Sequence, residues 1–194
     1  MWRCILLYKI LRKERLNDAV SLIEVEAPYI AKKAEPGQFI ILRIDEEGER
    51  VPFTIADYDR EKGTVTVIFQ IVGMTTERLN ELNEGDYLLD FVGPLGKASE
   101  FEGVKNVAVI GGGLGTAIAY PQAKKLNSMG VRVDMINGFR NKDIIIIEDE
   151  CRAACGHEAR RCFCKYRPGR DCGYPGTGKC FETEPSGRCR AGCV

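Results

Sequence analysis

VAVIGGGLGTAIAYPQAKKL, from Val107 to Leu126, runs from a short apolar stretch through a glycine cluster straight into a helical pattern. Val107–Ile110 is continuous apolar text, as carried by a strand covered on both faces. Gly111, Gly112, Gly113 and Gly115 follow, with Thr116 and then Ala117, where the helical pattern opens; it reads as Ala117–Met129, with Gly130 placed to end it. A strand, a glycine loop and a helix start, in this order, make a phosphate site for a dinucleotide. Glycine lets the backbone approach the phosphates closely, and the N–H groups of the helix start face the negative charge. The loop departs from GxGxxG at one place, where Thr116 stands for the third glycine. The competing reading is a tight turn that binds nothing. Val131–Ile136 reads as a second strand, so the segment predicts one βαβ unit, and Asp143–Glu150 adds an IIII run followed by three acids.

Upstream the pattern is different. Residues 1–100 read as β, with short apolar stretches at Cys4–Ile10, Ala19–Glu26, Phe39–Ile44, Phe53–Tyr58, Thr64–Ile71 and Tyr87–Val92. Pro36-Gly37, Glu47-Gly48, Lys62-Gly63 and Glu84-Gly85 separate them. Strands at such spacing predict a barrel or sandwich. Thr75–Leu82 reads as a short helix, with Leu79 and Leu82 on one face.

Two patterns in this region fit a nucleotide. In ERVPFTIADY, Glu49 to Tyr58, Arg50 offers a guanidinium that can bind phosphate bidentately, and Thr54 offers a hydroxyl from a strand. In IFQIVGMTTERL, Gly73, Thr75 and Thr76 stand just before a helix start, which suits a pyrophosphate. The bland readings are a core strand at Pro52-Phe53 and a helix cap at Thr75 or Thr76. Downstream, NGFRNKD (Asn137 to Asp143) follows the second parallel strand; Arg140 there reads either as a partner for a ribose phosphate or as a solvated surface arginine, so NAD and NADP stay open.

The chain has 194 residues, a formal net charge of zero and 44% hydrophobic residues. This is ordinary globular composition with no global pull towards nucleic acid. No apolar run reaches the roughly 18 residues of a membrane helix. MWRCILLYKILRKERL has no signal-peptide pattern, so a cytoplasmic protein is expected. The zero charge is a balance: residues 151–194 carry 9 Lys+Arg and 4 Asp+Glu, a net of +5, leaving −5 for the rest.

Residues 151–194 stand apart. They hold eight of the nine cysteines, no Leu, Ile or Met, and one Val. Such text does not bury an ordinary apolar core. The spacings Cys151-x3-Cys155, Cys162-x-Cys164, Cys172-x7-Cys180 and Cys189-x3-Cys193 contain no CxxC pair of the zinc type, so no metal ligand is assigned. Three readings remain: an out-of-frame segment, a metal or cluster module, or a disulfide-bonded tail. His157, the single histidine, reads as solvated.

The order of these motifs, with AEPGQF (Ala34–Phe39) and FVGPLGK (Phe91–Lys97) between them, resembles the ferredoxin–NADP reductase superfamily over about residues 5–150. The likeness runs to its small flavin-bearing subunits, those of NADH-dependent reduced ferredoxin:NADP oxidoreductase (also called a sulfide dehydrogenase subunit) and of dihydroorotate dehydrogenase B. The resemblance implies β + α/β architecture: a six-stranded antiparallel Greek-key barrel over 1–100 for FAD, and a truncated parallel-sheet NAD(P) domain over 103–150. An irregular Cys-rich tail over 151–194 follows.

It also implies that Pro52, Phe53 and Thr54 lie at the flavin, with Thr54 the residue at the reacting ring. Phe69 and Gln70 match a strand beside FAD, Thr75 and Thr76 its pyrophosphate turn, and Gly138 and Arg140 the nucleotide side. The family's arginine stands three places before the hydroxyl, where this chain has Val51; Arg50 is four before. The family's 2Fe–2S motif is absent. The implied function is electron transfer between NAD(P)H and an iron–sulfur partner, such as ferredoxin or a dehydrogenase large subunit. Alternatives are the electron-transfer role in NAD-linked dihydroorotate oxidation, within pyrimidine biosynthesis, a non-catalytic flavin-binding remnant or carrier, and a Cys-rich metal-binding protein on a barrel scaffold.

Overall fold

The computed structural model describes residues 7–155 and, beyond them, three short backbone strands at Cys162–Lys165, Phe181–Thr183 and Cys189–Ala191. The chain divides into two compact units, Met1–Glu100 and Phe101–Val194.

The first unit is one antiparallel sheet of seven strands: β1 (Tyr8–Asn17), β2 (Val20–Glu26), β3 (Phe39–Arg43), β4 (Val51–Asp59), β5 (Thr64–Gln70), β6 (Tyr87–Leu88) and β7 (Asp90–Leu95). Their order is β6-β1-β2-β5-β4-β3-β7. The two end strands are consecutive in the chain, with Leu89 alone between them. The sheet must therefore curl until its ends meet, and the Leu89 N–H donates to the carbonyls of Arg43 and Ile44 at 3.0 and 3.1 Å. This is the expected near-barrel with one strand more. The Tyr87–Val92 stretch breaks at Leu89, where the chain leaves β1 and joins β3.

The core follows from strand alternation. Ile23 and Val25 of β2, Ile40 and Leu42 of β3, and Val65, Val67 and Phe69 of β5 are all buried. Two helices cover it. α1 (Pro28–Lys33) buries Ile30 and Ala31, and its Pro28 sits where a missing N–H costs nothing. α2 (Met74–Glu81) buries Leu79 and begins one residue before the expected helix. Each such Val, Leu, Ile or Phe side chain, fully buried, contributes about 1.5–3 kcal/mol.

In the second unit, β8 (Asn106–Gly112), β9 (Arg132–Phe139) and β10 (Cys162–Lys165) form a parallel sheet in the order β10-β9-β8. α3 (Gly115–Ser128) connects the first two and presents Ala119, Ala123 and Leu126 as its buried face. Val109 pairs with Met135 and Gly111 with Asn137, so these residues share the face that meets α3. The expected βαβ unit is present, with both strands and the helix longer than their sequence signals. After a 3-10 turn at Lys142–Ile144, Ile146 and Ile147 are buried and α4 (Glu148–Ala154) begins. Glu148, Asp149 and Glu150 occupy its first turn, where negative charge suits the helix dipole. The helix runs through residue 150 and buries Cys151 and Ala154. β11 (Phe181–Thr183) pairs antiparallel with β12 (Cys189–Ala191). Of the tail's cysteines only Cys151 and Cys155 lie among the described side chains, and both are free; the readings of the tail as a metal module, a disulfide-bonded segment or out-of-frame text otherwise fall outside the described side chains, as does that of His157.

Candidate functional site

The motif residues fall into two groups, one in each unit. In the barrel, the ladder between β4 and β5 reaches only to Ile55↔Val67. From there β4 runs on with β3 alone, through Phe39↔Thr54 and Ile40↔Phe53, while Phe69 and Gln70 of β5 pair with Ser21 and Val20 of β2. The two strands therefore diverge at Pro52–Thr54 and Ile68–Gln70, which leaves peptide groups of β4 without a strand partner on that side. Phe53 and Phe69 meet edge to face in the gap, ring centroids 5.9 Å apart, and both turn into the barrel. Thr54 alternates to the outer face beside Phe39. The Phe39 ring lies under Gly96, where an added Cβ would come within 2.9 Å of its Cε1. Gly93 is equally tight, with Ile40 Cγ2 at 2.6 Å from such a Cβ. GPLG thus packs on β3, the strand that pairs with Thr54 of β4.

The turn from β5 into α2 is built by Thr76. Its Oγ1 accepts from the N–H groups of Val72 and Gly73 at 2.9 and 3.1 Å and donates to the Gly73 carbonyl at 2.8 Å. That hydroxyl proton is committed to the loop, so Thr76 shapes the turn. The first-turn N–H groups of Met74, Thr75 and Thr76 have no intrahelical acceptor, and the helix dipole adds to them. Gly73 is extended, with φ −179°, and an added Cβ there meets nothing within 4 Å. The fold does not demand glycine at this position; the space in front of the turn is open. Thr76→Val is expected to lower barrel stability by about 1–2 kcal/mol in thermal unfolding, with Thr76→Ser retaining most of it. Equal melting of Thr76→Val and the parent chain would contradict the reading.

Arg50 is exposed and paired through Nη2 with Asp90 Oδ2 at 2.8 Å; the same oxygen accepts Arg43 Nε at 2.8 Å. The Asp90 carboxylate also helps burial to raise the Tyr8 hydroxyl pKa. No contact joins Arg50 to the Gly73–Thr76 turn among the described hydrogen bonds.

In the second unit the glycine loop is fixed from below and open above. A Cβ on Gly111 would lie 2.7 Å from Thr116 Cα and 3.2 Å from Ala119 Cβ, so only glycine lets α3 sit this close to β8. That closeness is supplied by Gly111, which is why Thr116 can replace the third glycine. Gly113 has φ +54° and donates its N–H to Gly138 O at 2.8 Å, tying the loop to β9. Thr116 N–H donates to Gly113 O and Ala117 N–H to Leu114 O. Added Cβ atoms on Gly113 and Gly115 meet nothing within 4 Å. The N–H groups of Leu114 and Gly115 have no acceptor among the described hydrogen bonds. The loop therefore offers backbone donors beside the open space at Gly113 and Gly115, which fits an anion. Thr116 and Ala117 are buried, and Thr116 Oγ1 lacks a partner. Arg140 is exposed at the end of β9.

Sequence reasoning missed Asn137, whose Oδ1 is buried without a partner. Its side chain reaches Cys151, whose thiol is pushed up to about 12, chiefly by burial and against the Asn137 hydrogen bond. Burial likewise raises Cys155, opposed by the Met135 N–H. Both are neutral free thiols at physiological pH. Among the described residues no group of three His, Cys, Asp or Glu side chains is placed to hold a metal, and no helix is long and apolar enough to cross a membrane.

The chain is similar to known proteins. An uncharacterised protein encoded in the adh 3′ region of Clostridium beijerinckii is 50% identical over 158 residues, covering 78% of this chain and 53% of that protein. A homologue of the dihydroorotate dehydrogenase B (NAD(+)) electron transfer subunit from Thermotoga maritima is 42% identical over 144 residues, 74% of this chain and 51% of its own length. The solved structure of an NADH-dependent reduced ferredoxin–NADP oxidoreductase superposes with a TM-score of 0.76 at 36% identity, covering 81% of this chain and 56% of that one. The chain spans about half the length of the curated relatives it matches. No family model matches it.

Proposed function

We propose that this chain, a member of the ferredoxin–NADP reductase superfamily, holds FAD on its barrel and a nicotinamide dinucleotide on its glycine loop, and so passes electrons between NAD(P)H and an iron–sulfur partner. The observation that carries the reading is the divergence of β4 from β5 next to an open helix start. A planar ring needs an edge of free peptide groups, and a pyrophosphate needs clustered N–H donors; the two adjoin along β5. The residues present therefore fit the flavin. Bound there, FAD would supply the exchange of a hydride with the nicotinamide and of single electrons with the acceptor.

The chain's own residues bind and orient. Thr54 offers its hydroxyl to the ring edge from β4, paired with Phe39 of β3, whose ring packs under Gly96. Phe53 and Phe69 floor the gap and keep water from entering the barrel beneath it. Pro52 and Gln70, both exposed, stand at its two sides. The first-turn N–H groups and Thr75 meet the pyrophosphate, with Gly73 leaving room for it. In the second unit, Leu114 and Gly115 N–H face the dinucleotide phosphates, while Gly111, Gly112, Gly113 and Gly138 hold the loop backbone close. Arg50, released from Asp90, and Arg140 are the side-chain cations available to phosphate. The name of the Thermotoga relative supports a second reading, in which the acceptor is a dihydroorotate dehydrogenase subunit. The cytoplasm is the proposed compartment.

The test is an absorbance spectrum of the purified chain after incubation with FAD, then with NADH. Flavin bands that bleach on adding NADH are expected. Thr54→Ala should weaken FAD or slow its reduction by about tenfold or more, and Thr54→Ser should stay near the parent. A chain that stays colourless in excess FAD defeats the proposal, as does an unchanged occupancy and rate in Thr54→Ala for the role of Thr54.

A further inference from the structure

α2 begins at the proposed pyrophosphate turn with its apolar neighbours in solvent. Val72 and Met74, on either side of Gly73, are 74% and 73% exposed, and Leu79, near the far end, is the helix's buried residue. Eight residues make a helix about 12 Å long, too short to hold itself in water. Its placement is therefore inherited from contacts near its C-terminal end, and several of these are polar. Lys13 of β1 pairs with Ile23 of β2, and Ser21 stands two residues before Ile23, so both side chains share the face of that buried residue. Lys13 Nζ donates to the carbonyls of Asn80 and Leu82, the second at 2.6 Å. Those carbonyls belong to the helix end, where intrahelical donors run out and a cation suits the dipole. Ser21, fully buried, donates its hydroxyl to Asn80 Oδ1 at 2.6 Å. Arg78 is ion-paired with Asp45, in the connection between β3 and β4.

We infer that Lys13, seconded by Ser21, is a positioning residue for the flavin pyrophosphate, a role that rests on the flavin reading: from the rear of α2 it sets where the N–H groups of Met74, Thr75 and Thr76 stand. One leucine anchor leaves a two-turn helix free to swivel. Tethers from β1, from β2 and from the β3–β4 connection fix its tilt and its rotation together. A lysine on the core face of a strand gives up part of its hydration, and the α2 carbonyls return hydrogen bonds to its ammonium group. A pyrophosphate held by several N–H groups at once loses them together when the helix start shifts by about 1 Å. The proposed ring edge lies on β4, and among the described hydrogen bonds neither the Lys13 nor the Ser21 side chain touches that strand. Their loss therefore acts on the phosphate end of the cofactor and spares the ring end.

Titration of the full chain with FAD, followed by flavin fluorescence well below the melting temperature, tests this. Lys13→Met keeps the apolar stem and removes the donors; it should raise the FAD Kd by about tenfold or more, and Lys13→Arg should return it close to the parent value. Ser21→Ala, which removes one hydroxyl, should raise the Kd by about threefold and serves as the deciding variant if Lys13→Met does not fold. The visible absorption spectrum of bound flavin at saturating FAD is the second readout. It should match the parent in each variant, whereas a general loosening of the barrel would change it. A parent-like Kd in either variant, a weakened Kd that Lys13→Arg fails to restore, or an altered flavin spectrum at saturation would overturn the role of Lys13 while the flavin reading stands. A parent chain that takes up no FAD overturns both.

Discussion

Gly111→Ala is expected to unfold the parallel-sheet unit while the barrel keeps its own melting transition. The added Cβ would sit 2.7 Å from Thr116 Cα, 3.0 Å from Thr116 N and 3.2 Å from Ala119 Cβ. The nearest atoms are backbone, so no side-chain rotation relieves the clash. The helix must move off the strand, which separates Ala119 and Ala123 from their cover and costs about 3 kcal/mol or more. A unit with three described parallel strands has little stability to spare. Two neighbouring glycines provide the controls. Gly113 has φ +54° but open space, so alanine there costs only the left-handed conformation, about 1–2 kcal/mol. Gly115 has neither constraint, and Gly115→Ala should leave stability near the parent while placing a methyl group where the proposed phosphates would lie. Hydrogen exchange resolved by segment checks all three: fast exchange in β8, α3 and β9 for Gly111→Ala alone. Parent-like protection in that variant would mean that α3 does not approach β8 this closely.

The same contact explains how much the sequence discloses. A glycine cluster between an apolar run and a helical pattern is local text, and its physics is local as well: a strand end, a tight turn and an unpaired helix start. The βαβ unit was therefore legible, including the substitution of Thr116 for a glycine, though the structure was needed to see that Gly111 makes the replacement harmless. What stayed hidden is non-local. The seventh barrel strand exists because the chain changes partners at Leu89, and nothing in YLLDFV marks that switch. α1 is six residues long and starts at a proline, too short for a period to show. Arg50 was legible as a cation but not as the partner of Asp90, forty positions away. β10 carries Cys-Phe-Cys-Lys, with no aliphatic residue to announce a parallel strand beside β9. Thr76 was legible as a helix cap, while its use of all three hydrogen bonds on the preceding turn was not.

Phe69→Ala is expected to cost the barrel about 3–5 kcal/mol, the usual penalty for emptying a fully buried phenylalanine site. For a unit of about a hundred residues this lowers the melting temperature by roughly 15 °C or more. Its ring is 1% exposed and meets Phe53 edge-on at the point where β4 leaves β5. The loss therefore falls on the floor of the gap, and Phe53 would tip into the space left behind. A weakened flavin affinity in Phe69→Ala would then follow from a collapsed floor and say nothing about contact with the ring. Phe69→Leu separates the two: it keeps most of the volume, should cost about 1 kcal/mol, and should bind FAD as the parent does if Phe69 acts only through packing. Gln70→Ala is the complement, because its side chain is exposed and contributes little to the core. If Gln70→Ala weakens FAD at parent-like stability while Phe69→Leu does not, the cofactor touches the outward face of β5 and the inward face only supports it. The reverse pattern would place the ring inside the barrel wall, which the burial of Phe69 does not allow.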